Sequence, residues 1–95
     1  MAHTFEELVG MQRAADEAHT RLRQLRDQYG PPTAHPWSEQ QTGTYETALR
    51  AWRDLARDVQ AAVTGYAREQ GVARSEAESD VKSAVRHPTP GADGA

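Results

Sequence analysis

The chain has 95 residues, 37% hydrophobic and 26% charged, a size that holds one domain and only a small core. Its formal net charge of -3 is spread evenly, with one excess acid in each of residues 1–36, 37–71 and 72–95. There is thus no basic tail or acidic block to attract nucleic acid or an anionic membrane, and zero Cys excludes disulfides and thiolate metal sites.

Thr4 is followed three residues later by Glu7, a spacing that lets each side chain accept from the other's free backbone N–H at a helix start. From there Leu8, Met11, Ala15, Ala18, Leu22, Leu25 and Tyr29 recur at alternating three and four spacings, an unbroken heptad track. Gly30-Pro31-Pro32 ends it, so the first helix is expected over about residues 5–29.

Ser38 with Gln41 repeats the capping arrangement, and Trp37 stands where it can cover the first turn of a second helix, expected over about residues 39–70. Thr42, Gly43 and Thr44 are poor helix formers, which predicts fraying at this start. Beyond them Tyr45, Ala48, Trp52, Leu55, Val59, Ala62 and Tyr66 keep the heptad spacing, while Leu49, Ala56 and Val63 widen the stripe along one edge. Gly71 is the natural stop. Ser75 with Glu78 reads as the start of a short third helix, about residues 76–86, whose stripe of Ala77, Val81, Ala84 and Val85 can fold back on Phe5 and Val9. Residues 88–95, with two Pro and two Gly, are expected to form a disordered tail to a single domain over residues 1–87.

A short connection forces the first two helices antiparallel, so that facing residue numbers sum to a constant. A sum near 74 pairs Leu22 with Trp52, Leu25 with Leu49 and Ala15 with Val59. The expected fold class is therefore all-α: an antiparallel, coiled-coil-like two-helix hairpin with a short third C-terminal helix. The second helix has a broader apolar face than the first can cover. Association of two hairpins into a four-helix bundle would bury the excess, making Leu49, Trp52, Ala56 and Val63 a dimer or partner interface. The alternative is that the third helix fills the gap within one chain.

Little in the sequence points to chemistry. His3, His19, His35 and His87 lack the i,i+4 spacing of a helical metal site, so no metal or cofactor is expected. The carboxylates fall into ion-pair series, Glu46-Arg50-Asp54 and Arg13-Glu17-Arg21, that read as solvated faces rather than catalytic pairs. Arg50, Arg53 and Arg57 make the best case for a nucleic-acid contact, weakened by the interleaved Asp54 and Asp58. Trp37, with Tyr29, Tyr45 and His35, marks the turn either as a docking tip or as the seal of the hairpin.

The size and helix-turn-helix plan resemble the WXG100 family of small secreted actinobacterial proteins, whose dimers of helical hairpins imply pairing with a partner chain. That family carries Trp-x-Gly at the turn where this chain has Trp37-Ser38-Glu39, and its Tyr-x-x-x-Asp/Glu export signal would need an acid where Gln70 follows Tyr66. Ten Arg against one Lys fits a GC-rich, actinobacterial genome. The N-terminus shows no basic patch leading into an apolar run, and no segment is apolar for long enough to span a bilayer. The resulting expectation is a cytoplasmic, non-enzymatic protein–protein interaction module that associates with itself or another helical protein. No small-molecule substrate, cofactor or membrane partner is expected. A WXG100-like secreted hairpin and a nucleic-acid-associated regulator using Arg50, Arg53 and Arg57 are the alternatives.

Overall fold

The computed structural model describes residues 3–87, and among them all regular structure is helical: α1 (Phe5–Tyr29), α2 (Glu39–Gln70) and α3 (Arg74–Arg86). The tail expected from Pro88 onward lies outside the described residues. The start of α1 is fixed by a reciprocal cap. Glu7 N–H donates to Thr4 Oγ1 at 3.1 Å, and Thr4 N–H donates to Glu7 Oε1 at 2.8 Å. The same pair of bonds at 3.0 Å joins Ser38 and Gln41 at the start of α2. With that start held, α2 runs through Thr42, Gly43 and Thr44 without fraying, because the cap and the packing of Tyr45 on Trp37 outweigh three poor propensities.

Gly71 ends α2 in the left-handed region (φ 70°, ψ 30°). Its N–H donates to Arg68 O at 3.3 Å and that of Val72 donates to Ala67 O at 3.0 Å. These two bonds satisfy the last carbonyls and reverse the chain, which only glycine does without a steric cost. α3 follows almost at once, from Arg74, with Ala73 as N-cap and no side-chain cap bond. Ser75 therefore lies inside the helix rather than before it. What fixes this start is tertiary: the Arg74 guanidinium donates to Thr64 Oγ1 at 3.0 Å and to Gln60 Oε1, anchoring the first turn on α2.

All three helices contribute to one core. Leu8 of α1, Val59, Ala62, Val63 and Ala67 of α2, and Ala77 and Val81 of α3 form a continuous cluster, flanked by Phe5, Val9, Met11 and Tyr66. Phe5 meets Tyr66 with ring centroids 6.1 Å apart. α3 thus covers the end of the hairpin remote from the turn, as its thin stripe anticipated. Toward the turn the two long helices differ. α1 still buries Ala15, Leu22 and Leu25, but every buried residue of α2 lies at Val59 or beyond. The contacts of Phe5 with Tyr66, His19 with Trp52 and Arg26 with Tyr45 share one residue-number sum, slightly below the expected 74. The offset is less than one turn, which places Trp52 beside His19.

The expected series Glu46-Arg50-Asp54 and Arg13-Glu17-Arg21 are not formed. The ion pairs among the described residues are His3–Glu7, Asp54–Arg57, Arg74–Glu78 and Glu78–Lys82. Long exposed side chains gain only a few tenths of a kcal/mol from such pairing, too little to hold one geometry in water.

Two expected outcomes follow from these elements. A Cβ at Gly43 or Gly65, both inside α2, meets nothing within 4 Å. Gly43→Ala and Gly65→Ala should each stabilise the fold by about 0.5–1 kcal/mol, while Gly71→Ala, at positive φ, should destabilise it by about 1 kcal/mol. Denaturant midpoints of the three variants check the signs.

The second concerns acid. The Glu78 carboxyl is held below its ordinary value of 4.5, first by the Gln60 side-chain amide and then by the Lys82 charge, with Arg74 adding to them. A group depressed in the folded state contributes stability that is present above its unfolded value and is lost as pH falls through the folded one. The docking of α3 should accordingly weaken on acidification below about pH 4.5, and Glu78→Gln should flatten that limb of the stability–pH curve. An unchanged limb in Glu78→Gln would assign acid sensitivity elsewhere.

Candidate functional site

The candidate surface is built on the first half of α2, where the apolar stripe continues but is only partly buried. Leu49, Trp52 and Ala56 lie on one edge of the helix and are half-buried, whereas Val63 of the same edge is 2% exposed and belongs to the internal core beneath α3. The sequence grouped all four because they share a helical edge. The structure separates them because α3 reaches Val63 and leaves the other three without complete cover.

Trp52 packs at a tilt against His19 of α1, with centroids 5.1 Å apart and rings inclined at 50°. Around this pair an open groove of about 360 Å³ runs between α1 and α2, lined by Asp16, His19, Arg23, Trp52 and Ala56 among others, with Lys82 at the end where α3 approaches. Asp16 accepts from Gln12 at 2.9 Å, and Lys82 pairs with Glu78 at 3.6 Å. Arg23 and Lys82 were not singled out from sequence, and Asp16 was read only as one carboxylate of a solvated face. Asp16 and Arg23 lie on polar positions of α1 and Lys82 on α3, and only the spacing of the first two from His19 hinted that they border the seam.

A second depression, on the outer side of the same strip, is lined by Glu46, Leu49, Arg50, Arg53, Asp54 and Arg57. Asp54 binds Arg57, whose side chain remains 73% exposed. Among the described residues, no carboxylate lies within ion-pair distance of Arg50 or Arg53. The arginine row is therefore a border of the apolar strip rather than a separate face, since Leu49 lines the same depression.

The turn is organised differently. Trp37 is half-buried between Tyr29 and Tyr45, edge-on to each at 5.4 and 5.2 Å, and its indole N–H donates to Gly30 O at 2.8 Å. Arg26 donates to Tyr45 Oη at 3.1 Å. Trp37 is thus tied into the closure of the hairpin on both its ring and its polar edge, while His35 is exposed beside it. Among the described residues no group of three His, Asp or Glu is placed to hold a metal ion, and no helix is long and apolar enough to cross a membrane. Comparison with protein-family models, curated proteins and solved structures gives no match to this chain.

Proposed function

We propose that this chain is a small interaction module that acts by holding another helix against the Leu49-Trp52-Ala56 strip of α2 rather than by chemistry. The observation that carries this reading is the uneven burial of α2. Its apolar stripe is continuous from Tyr45 to Tyr66, yet full burial begins only at Val59, and Leu49, Trp52 and Ala56 are covered in part. A helix whose apolar edge is only partly covered by its own partners has room for a further helix in the bundle. A second hairpin or a single helix from another chain would complete it. We place this action in the cytoplasm, a reducing compartment that a chain with zero Cys fits without requiring it.

Sedimentation across a wide concentration range, alone and with amphipathic helical peptides of either charge, tests the reading. The expected result is a concentration-dependent or peptide-dependent complex that Leu49→Asp abolishes with helicity unchanged. A chain that stays monomeric and binds neither peptide would refute it.

A further inference from the structure

We propose that α3 is an exchangeable strap: at high concentration two copies of this chain trade α3, each straightening at Gly71 so that α2 and α3 run as one helix. The exchange uses contacts separate from the Leu49-Trp52-Ala56 strip and goes beyond the interaction reading above.

Local sequence defines the break between α2 and α3 more weakly than it defines the other helix ends. α1 and α2 both start at reciprocal caps, whereas α3 follows Ala73 with no side-chain acceptor for its first N–H groups. Gly71, Val72 and Ala73 alone join the two helices, and it is the left-handed conformation of Gly71, at φ 70°, that turns the chain back. Were Gly71 helical, the N–H groups of Arg74 and Ser75 would gain the carbonyls of Gln70 and Gly71.

The apolar pattern runs through the break. Val63, Ala67, Gln70, Arg74, Ala77, Val81 and Ala84 recur at alternating four and three spacings, so the buried residues of α3 stay in helical phase with the last ones of α2. A helix that only folds back needs no such phase. A straight α2–α3 helix carries this edge beyond its own hairpin, where it needs cover.

The contacts already present identify that cover. Ala77 and Val81 share one cluster with Leu8, Val59 and Val63, the Arg74 guanidinium donates to Thr64 Oγ1 at 3.0 Å, and the Gln60 amide donates to Glu78 Oε2 at 3.4 Å. Arg74 with Thr64 and Glu78 with Gln60 have one residue-number sum, whose midpoint lies within a turn of Gly71. Two straight helices crossing antiparallel at the hinge therefore keep the same pairs, now between copies. Every α3 contact is remade, so concentration and the conformation of Gly71 set the balance between the two forms. An exchanged dimer presents two Leu49-Trp52-Ala56 strips on one particle.

Sedimentation of the full chain from micromolar to millimolar concentration, with circular dichroism to verify helicity, follows the exchange. Gly71→Ala disfavours the left-handed turn without a steric clash, because a Cβ there meets nothing within 4 Å. It should lower the concentration for half-dimerisation by about tenfold or more, since each dimer straightens two hinges. Lengthening the hinge with glycines after Val72 should restore the monomer, and Leu49→Asp should leave the dimer intact. Q60C/E78C in the Gly71→Ala chain reads the exchange directly. Treated with a thiol oxidant at high concentration it should run as a covalent dimer on a denaturing gel, and at low concentration as a monomer. Covalent monomer from a sample that sediments as a dimer would overturn the proposal. So would a helical Gly71→Ala chain that stays monomeric at millimolar concentration, or a dimer that Leu49→Asp abolishes. If Gly71→Ala loses its helicity, the same crosslink in the chain with Gly71 retained decides between these outcomes.

Discussion

Leu8→Ala is expected to destabilise the fold by about 2–5 kcal/mol, the usual range for emptying a fully enclosed leucine site. Leu8 is 0% exposed and sits in the one cluster to which all three helices contribute. The other fully buried members of the cluster are short, Ala62, Ala67, Ala77 and three valines, so the void can be filled only by the flanking Phe5, Met11 or Tyr66 moving in. A domain of this size has only about 5–10 kcal/mol of total stability, so the variant should show a strongly lowered urea midpoint with an unchanged slope. A loss below about 1 kcal/mol would mean that the helix junction tolerates a void, and that the core is looser than its burial implies.

The second large effect is Val81→Asp, which places a carboxylate at another site with 0% exposure. Among the described residues no buried polar group is present in this core to receive it. Unpaired burial costs on the order of 4 kcal/mol or more, and α3 avoids it by leaving the hairpin. Detachment would expose Leu8, Val59 and Val63 together, so the variant should bind a hydrophobic dye and lose protection of α3 amides from hydrogen exchange before those of α1. Val81→Ala, which shortens the side chain without adding charge, should weaken the same contact by less. Its effect should couple with that of Leu8→Ala in a double-mutant cycle, because both residues belong to one cluster. Additive behaviour would show that the two do not share a cavity.

The parts of the fold that were legible in the sequence are those set by local physics. Thr4 with Glu7 and Ser38 with Gln41 form the reciprocal caps that their spacing announces, because a capping box involves only four consecutive residues. Gly30 and Gly71, at the ends of the two long helices, both have positive φ. The heptad track from Leu8 to Tyr29 likewise contains the residues that α1 buries. The errors have a common origin. Ser75 looked like a third cap, but the start of α3 is set by Arg74 reaching Gln60 and Thr64 across the turn. Fraying was expected at Gly43 on propensity, and packing at Tyr45 and Trp37 overrode it.

The candidate surface divides in the same way. Periodicity alone placed Leu49, Trp52, Ala56 and Val63 on one edge, because residues seven apart on a helix return to nearly the same side. Which of them face solvent was decided by where a separate helix stops. α3 is 13 residues long and begins at the remote end of the hairpin, so it reaches Val63 and leaves Leu49 half-covered. Lys82 arrives at the rim of the groove by the same accident of length and direction. A sequence fixes helix faces because hydrogen bonds and side-chain spacing act over a few residues. Coverage depends on the path of an element dozens of positions away, and that is settled only when the three helices compete for one small volume of shared core.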